Sequence, residues 1–375
     1  MPSARQLLEH LVERRDLGES GAAELLHVLT AADLPAASAG ALLCALRTKG
    51  VTASEVRGLA AAMRALALKP RLPERLDAID VVGTGGDASG SLNLSTGAAL
   101  LAAAAGLPVV KHGNRSISSR CGSADLLEGL GLALPLDEQR AADCFAATGF
   151  TFLFAPYYHP SMRALGPIRA ALGIRTVFNL LGPLTNPASP RFRLIGAYDA
   201  ATAELMAGTL SGTDVERAWV VHGAAGWDEA TPIGPFVGFE VDQAGVRRHE
   251  VDPRDLGLTL CEPRELAGGD AASNLRALVA VFERRDRGAH LAALTLQCGL
   301  ALHIAGRAQS IRAGIERALD TVESGRAAAW LEGLRRFAAT PTAVPEAAAS
   351  PAAAPGEAGP GAATPKAAMP GAGVP

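Results

Sequence analysis

From Leu76 onward the chain alternates short apolar runs with helical stretches, and each apolar run ends in a glycine-rich or polar loop. The runs at 77–82, 107–110, 150–154, 193–197 and 218–221 read as strands. Helical periodicity fills 96–105, 123–130, 138–147 and 202–210 between them. Strands that alternate with helices specify an α/β fold, with a mostly parallel central sheet flanked by helices on both faces. Ligands bind in such sheets in the crevice beyond the carboxyl ends of the strands, so the loops that follow the strands are where chemistry is expected. Residues 236–241 and 246–251 predict a late hairpin across 242–245, and 271–337 returns to helix.

Before Leu76 the pattern is helical only. Leu7, Leu8, Leu11 and Val12 share one helical face, and helices are expected at 22–29, 37–46 and 54–68, with breaks at 16–21, 33–35 and 49–52. This predicts a small all-α domain over 1–72, completed by helices from about 160–185, beside an α/β domain over 76–339. After Ala339 the composition collapses to Ala, Pro, Gly and Thr, and 340–375 is expected to be a disordered tail.

Bulk numbers remove several classes. The formal net charge of -3 argues against a nucleic-acid partner recognised by bulk charge. The five cysteines are odd in number and none has CxxC spacing, which disfavours a disulfide framework or a zinc site and suits reduced thiols in the cytoplasm. The first fifteen residues lack an uninterrupted apolar core of the signal-peptide type. The longest apolar run, 98–107, is too short to span a membrane.

Four segments carry candidate chemistry. The first runs Val82-Gly83-Thr84-Gly85-Gly86-Asp87-Ala88-Ser89-Gly90-Ser91-Leu92-Asn93-Leu94-Ser95-Thr96, between a strand and a helix. Glycines let backbone N–H groups approach an anion, and the helix N-terminus adds to the attraction. Neither a Walker A lysine nor GxGxxG spacing is present. Turn chemistry alone leaves a plain strand-to-helix connection open.

The second begins Lys111-His112-Gly113-Asn114-Arg115-Ser116-Ile117-Ser118-Ser119 and continues to Ser123. It is read as a loop whose cations and hydroxyls suit a pyrophosphate. His112 is equally readable as a loop histidine without a ligand, and Ser123 as a helix cap. In the third, Arg169 and Arg175 sit among apolar residues, where a carboxylate, a phosphate or a structural ion pair would satisfy them. The fourth closes on Asp228-Glu229 after a strand and a glycine loop. The pair reads as hard oxygen ligands for Mg2+ or as a solvated turn.

Taken together, GTGGD, NLST, KHGNRSISS, GSADLLEGLG, GIRTVFNLLGPLTNP and the Asp-Glu pair occur in the order and at the spacing of the anthranilate phosphoribosyltransferase family, which the chain resembles over about residues 5–335. The resemblance implies a small helical domain hinged to an α/β domain, usually in a homodimer. It also implies attack of the anthranilate amine on C1 of phosphoribosyl pyrophosphate, with pyrophosphate leaving, in tryptophan biosynthesis. By motif, Gly83, Gly86, Asp87, Ser91, Asn93, Leu94, Ser95, Thr96, Lys111, His112, Gly113, Asn114, Arg115, Ser116, Ile117, Ser118, Ser119 and Ser123 would hold phosphoribosyl pyrophosphate. Gly83, Asn114 and Arg169 would contact anthranilate, with Arg169 on its carboxylate, and His112 and Pro183 would line its path. Ser95, Asp228 and Glu229 would be Mg2+ ligands. No covalent nucleophile or general base is implied, because the amine is already a free nucleophile.

Three positions depart from the family's usual pattern: Ala225 replaces the first Asp of the carboxylate segment, Phe236 stands where Thr is common, and Gln297 where Asn is. A pyrimidine nucleoside phosphorylase of the same fold would carry a Lys-His-Ser-Thr-Gly-Gly loop in place of the 82–87 segment. A non-catalytic paralogue that binds a ligand or nucleic acid would not be expected to keep all these segments intact.

Overall fold

The structure is a computed structural model that describes residues 2–74, 76–115 and 120–340. Ser116, Ile117, Ser118, Ser119 and the expected tail beyond Thr340 lie outside the described residues. The chain opens with four helices, α1 (Ala4–Val12), α2 (Gly18–Leu29), α3 (Ala36–Lys49) and α4 (Ala53–Ala65). Capping boxes start two of them: Ser3 with Gln6, and Thr52 with Glu55. Such a cap stabilises a helix by about 1 kcal/mol.

Glu55 is fully buried. Its Oε1 accepts the Leu17 amide at 2.9 Å, and its Oε2 accepts the Thr52 amide and Lys49 Nζ, each at 2.9 Å. One carboxylate therefore pins the start of α2 against α4. This overrides the break expected at 16–21: α2 begins at Gly18, with Glu19 in its first turn facing the helix dipole favourably.

The α/β part follows as β1 (Ile79–Gly83), α5 (Leu94–Ala104), β2 (Val109–Gly113), α6 (Ser123–Gly129), α7 (Glu138–Thr148) and β3 (Phe150–Phe154). Short helices α8 (Ala155–Tyr158), α9 (Leu165–Leu172) and α10 (Phe178–Leu181) lead to β4 (Phe192–Gly196), α11 (Ala200–Leu210) and β5 (Arg217–His222). The hairpin β6 (Phe236–Asp242) and β7 (Gly245–Val251) comes next. Then follow α12 (Ala271–Phe282), α13 (Ala289–Ile304), α14 (Ile311–Glu323) and α15 (Arg326–Ala339).

The sheet order is β3-β2-β1-β4-β5-β6-β7, parallel through β5 and antiparallel at β6 and β7. The chain moves outward from β1 through β3, then returns to place β4 on the other side of β1. The order reverses between β1 and β4, which is where an open α/β sheet forms its crevice.

Side chains alternate across the sheet, so neighbours in β4 enter different cores. Leu194 joins a core with Leu100, Phe152 and Leu294, under α5 and α13. Ile195 joins one with Leu25, Leu42 and Leu59 of the first helices and with Met206 of α11. Leu165, Phe178 and Leu181, from the 160–185 segment, also enter that second core. The helical bundle therefore packs on one face of the sheet through a shared apolar layer.

One strand boundary changes the reading of the site. Lys111, His112 and Gly113, expected in a loop, are the last residues of β2, because β3 pairs with them up to Gly113 opposite Phe154. Alternation then sends Lys111 and His112 to opposite faces.

Candidate active site

The strands at the switch point end together, with Gly83 of β1 paired to Gly196 of β4. After β5, the turn Ala224–Gly226 sends Asp228 and Glu229 back across these ends. A Cβ on Gly196 would overlap the Asp228 carbonyl oxygen, and one on Gly83 would overlap the Asp228 carboxylate. Only strands that end in glycine allow the acidic loop to lie this close.

Asp228 Oδ2 accepts the Gly85 amide at 2.6 Å, and the Asp228 amide donates to Asp87 Oδ2 at 3.3 Å. Glu229 Oε1 accepts the Ser95 amide in the first turn of α5 at 2.9 Å, and Ser91 Oγ donates to Glu229 Oε2 at 3.4 Å. Both acids are buried. Burial, then the charge of Asp87, pushes Asp228 up to about 7. Burial, then Asp228, holds Glu229 well above the usual carboxylate range.

Among the described residues, Lys111 is the cation that most opposes this rise. Burial lowers the Lys111 ammonium to about 8, against the attraction of Asp80, Glu229 and Asp228. Hard oxygens this crowded and this short of positive charge suit a divalent cation such as Mg2+. Among the described residues no group of three or more His, Cys, Asp or Glu is arranged to hold a metal ion. Further ligands would have to come from a hydroxyl such as that of Ser95 or from a bound anion.

The glycine loop between β1 and α5 turns through left-handed backbone at Gly85, Gly86, Ala88 and Gly90, with φ of 66°, 75°, 57° and 62°. Ala88 is the one residue of these four with a Cβ, and that conformation costs it about 1–2 kcal/mol. The loop is braced from behind: the Gly268 amide donates to Gly90 O at 2.8 Å, and the Leu92 amide to Leu266 O at 2.9 Å. Arg175 Nη2 donates to Gly86 O while its guanidinium lies 4.0 Å from the centre of the Tyr198 ring. Among the described residues its contacts are this carbonyl and this ring, not the structural ion pair that its sequence setting allows.

From β2, Lys111 Nζ donates to Val81 O and lies 3.5 Å from Ser95 Oγ, beneath the acidic pair. On the opposite face, His112 Nδ1 lies 3.1 Å from Gly182 O, and its ring meets His159 edge-on at 5.1 Å. Burial and the neighbouring His159 lower His112 to about 3, and burial lowers His159 to about 4. Both rings are neutral at neutral pH.

The remaining expected residues divide. Thr96 Oγ1 donates to Ser123 Oγ at 2.9 Å, tying α5 to α6. Gly122, not Ser123, occupies the cap of α6, so the capping alternative is set aside. Leu94 is fully buried. Asn93 occupies the cap position of α5, but its amide turns sideways to Cys121 O and Asn274.

Gly113 ends β2 with Phe152 and Ser123 against it. Asn114 Oδ1 accepts the Arg115 amide at 2.7 Å. Arg115 forks onto Glu128 at 2.5 Å and reaches Asp125 at 2.9 Å, and both acids raise its pKa. This ion pair occupies its guanidinium fork. Arg169, on α9, is half-buried with its guanidinium 5.3 Å from the Phe178 ring centre. Burial alone lowers its pKa, and no carboxylate contributes.

Of the departures, Ala225 takes left-handed backbone with φ 61°, and Phe236 is buried in the core. Gln297 is buried on α13 with Nε2 unpartnered.

Sequence reasoning passed over Asp80, Asn186 and Asn274. Asp80 is buried within β1 and accepts Asn186 Nδ2 at 2.9 Å and the His112 amide at 3.2 Å, fixing β2 from below. An acid inside an apolar strand was the available signal. For Asn274 there was none, because its partner Asn93 lies 181 positions away.

The helical-bundle and a/b-domain models of a glycosyl transferase family match residues 5–67 and 75–328 respectively. A curated anthranilate phosphoribosyltransferase of Rubrobacter xylanophilus is 47% identical over 74% of this chain and 81% of its own length. That of Roseiflexus castenholzii is 44% identical over 89% of this chain and 98% of its own. This chain belongs to the anthranilate phosphoribosyltransferase family. The solved family enzyme of Thermus thermophilus superposes with a TM-score of 0.84 at 38% identity, over 89% of this chain and 99% of that one. The Saccharomyces cerevisiae enzyme in complex with PRPP and Mg gives 0.81 at 26% identity, over 89% and 97%. Among the described residues no helix is long and apolar enough to cross a membrane.

Proposed function

We infer that this chain transfers the phosphoribosyl group of phosphoribosyl pyrophosphate to the amine of anthranilate, releasing pyrophosphate, as a step of tryptophan biosynthesis. The observation that carries the reading is the meeting of the glycine loop, the first turn of α5 and the Asp228-Glu229 loop at the switch point of the sheet. Family membership names the sugar and its acceptor.

In this reading the 83–96 loop receives the diphosphate on its backbone N–H groups and on Ser91, Asn93, Ser95 and Thr96. Lys111 contributes charge from below, and Asn114, Arg115 and Ser123 extend the same wall. Ser116, Ile117, Ser118 and Ser119 belong to it by motif alone. Asp228, Glu229 and the Ser95 hydroxyl would hold Mg2+, which fits the buried, cation-poor donor set. Bound there, Mg2+ would neutralise the diphosphate and make it a better leaving group.

Arg169 is half-buried with no protein carboxylate contributing to its shift, and it would take the anthranilate carboxylate. Gly83 and Asn114 would border the ring. His112 and Pro183 would line its approach as neutral surfaces, since His112 is held unprotonated. Catalysis then rests on positioning and charge stabilisation, with no side chain required as a base.

The further assignments go with this reading. Residues 1–72 with part of 160–185 would form a helical domain that moves on hinges against 76–339. Two chains would form a homodimer, and the enzyme would work in the cytoplasm. Pyrophosphate release tests the activity: it should require anthranilate and match its consumption one for one. Release of thymine from thymidine and phosphate instead would replace the reading with a nucleoside phosphorylase.

A further inference from the structure

Asn93 is the residue where the two phosphate-facing loops meet. It stands at the cap of α5, yet its side chain makes no capping bond. Its Nδ2 donates instead to Cys121 O at 3.0 Å, across to the segment that follows β2. An amide can turn over in place, which exchanges its donor and acceptor ends at almost no steric cost. Cys121 O can only accept and so favours the Nδ2 end, and a donor to Oδ1 is needed to hold that choice from the other side.

Asn274 meets that need. It lies in the first turn of α12, 3% exposed. Its Oδ1 accepts the Gly269 amide at 2.6 Å, so its Nδ2 faces the other way. That Nδ2 donates to Asn93 Oδ1 at 2.9 Å. The result is a one-way chain: Gly269 N–H to Asn274, Asn274 to Asn93, and Asn93 to Cys121 O. Neither the backbone amide at its head nor the carbonyl at its end can reverse, so together they fix the polarity of both amides. Residues beside Gly269 also brace the glycine loop, through Gly268 to Gly90 and Leu266 to Leu92.

We propose that Asn274 is a positioning residue for phosphoribosyl pyrophosphate, holding the Asn93 amide in the orientation that keeps the glycine loop and the loop after β2 in register. It rests on the reading of the site given above. Asn274 would act through Asn93, with its side-chain hydrogen bond to Cys121 tying it to the same segment.

The substitution Asn274→Asp keeps the size and the acceptor for the Gly269 amide but removes the donor to Asn93. Asn93 must then face a carboxylate oxygen with its own carbonyl, or turn over and release Cys121. Binding of phosphoribosyl pyrophosphate with Mg2+ is measured by titration calorimetry for the parent, Asn274→Asp, Asn93→Ala and the double variant. Melting temperatures and the anthranilate KM are measured on the same proteins. The expectation is about tenfold weaker binding in each single variant, the magnitude of a buried amide left unpaired. The double variant should be no weaker than Asn93→Ala alone, because the two residues form one chain. The anthranilate KM should change less than about threefold, and Asn274→Asp should still unfold cooperatively, with a melting temperature lowered by the buried carboxylate but no more than in the double variant.

If Asn93→Ala weakens binding and Asn274→Asp does not, or if their effects add, the positioning role is wrong. Equal shifts in both substrates together with a large fall in melting temperature would reduce Asn274 to a structural residue. Unchanged binding in Asn93→Ala would instead remove Asn93 from the site and overturn the site reading itself.

Discussion

The carbonyl oxygen of Asp228 occupies the space where a side chain on Gly196 would begin. The end of β4 and the acidic loop after β5 are thus mutually dependent. Gly196→Ala should displace the loop, since the contact is backbone on backbone and cannot yield as a flexible side chain would. The expected cost is about 1–3 kcal/mol of stability and about 100-fold or more in kcat/KM, because a small misplacement of a site is expensive. Denaturant unfolding and steady-state kinetics check both. A variant with parental kinetics would mean that the loop position does not matter to turnover.

Asp228→Asn combined with Glu229→Gln keeps the shape and removes the negative charge that burial makes costly. The double variant should lose Mg2+-dependent turnover while melting no lower than the metal-free parent. Calorimetric titration of Mg2+ in the presence of phosphoribosyl pyrophosphate provides the check. Unchanged metal dependence would take the pair out of the site.

The strand pattern, the switch point and the order of the four segments were all legible, because apolar periodicity and glycine placement are local signals. What escaped was set by distant contacts. Lys111 and His112 read as loop residues because their polarity says loop, but pairing of β2 with β3 makes them strand. Nothing local to Arg175 announces its contacts with a carbonyl of the glycine loop and a tyrosine ring. The brace from 266–269 and Asn274 arrives from the far end of the chain, where nothing in the local sequence marks it.

Arg169→Ala should raise the anthranilate KM by about tenfold or more, the loss of a charge-assisted contact, and the phosphoribosyl pyrophosphate KM by less than about threefold. Steady-state kinetics with each substrate varied in turn would show it. Equal changes would separate Arg169 from the anthranilate carboxylate.

Burial lowers His112 to about 3 and His159 to about 4, both below the usual histidine value of 6.5. The unfolded chain therefore takes up protons first as pH falls. The stability that these neutral rings contribute is complete above about pH 6.5 and is lost as pH falls toward 4 and 3. At pH 5 the loss is on the order of 2 kcal/mol for a histidine shifted this far. His112→Asn should flatten that part of the stability profile, which chemical denaturation from pH 7.5 to 4.5 would reveal. A slope unchanged by the substitution would mean that His112 is charged or exposed in the folded protein.

Arg175→Ala should weaken phosphoribosyl pyrophosphate binding by about three- to tenfold, the net value of one ordinary, solvent-exposed hydrogen bond, through a less ordered loop at Gly86. Calorimetric titration measures this. Binding equal to the parent would make the Arg175 contact incidental.

The most direct test follows the native fluorescence of anthranilate in the presence of the protein, excess phosphoribosyl pyrophosphate and Mg2+. The assembled loops and acidic pair predict a steady loss of that fluorescence, abolished by omitting phosphoribosyl pyrophosphate and strongly reduced by chelating the metal. Undiminished anthranilate fluorescence with all components present would contradict the assignment of this site to phosphoribosyl transfer.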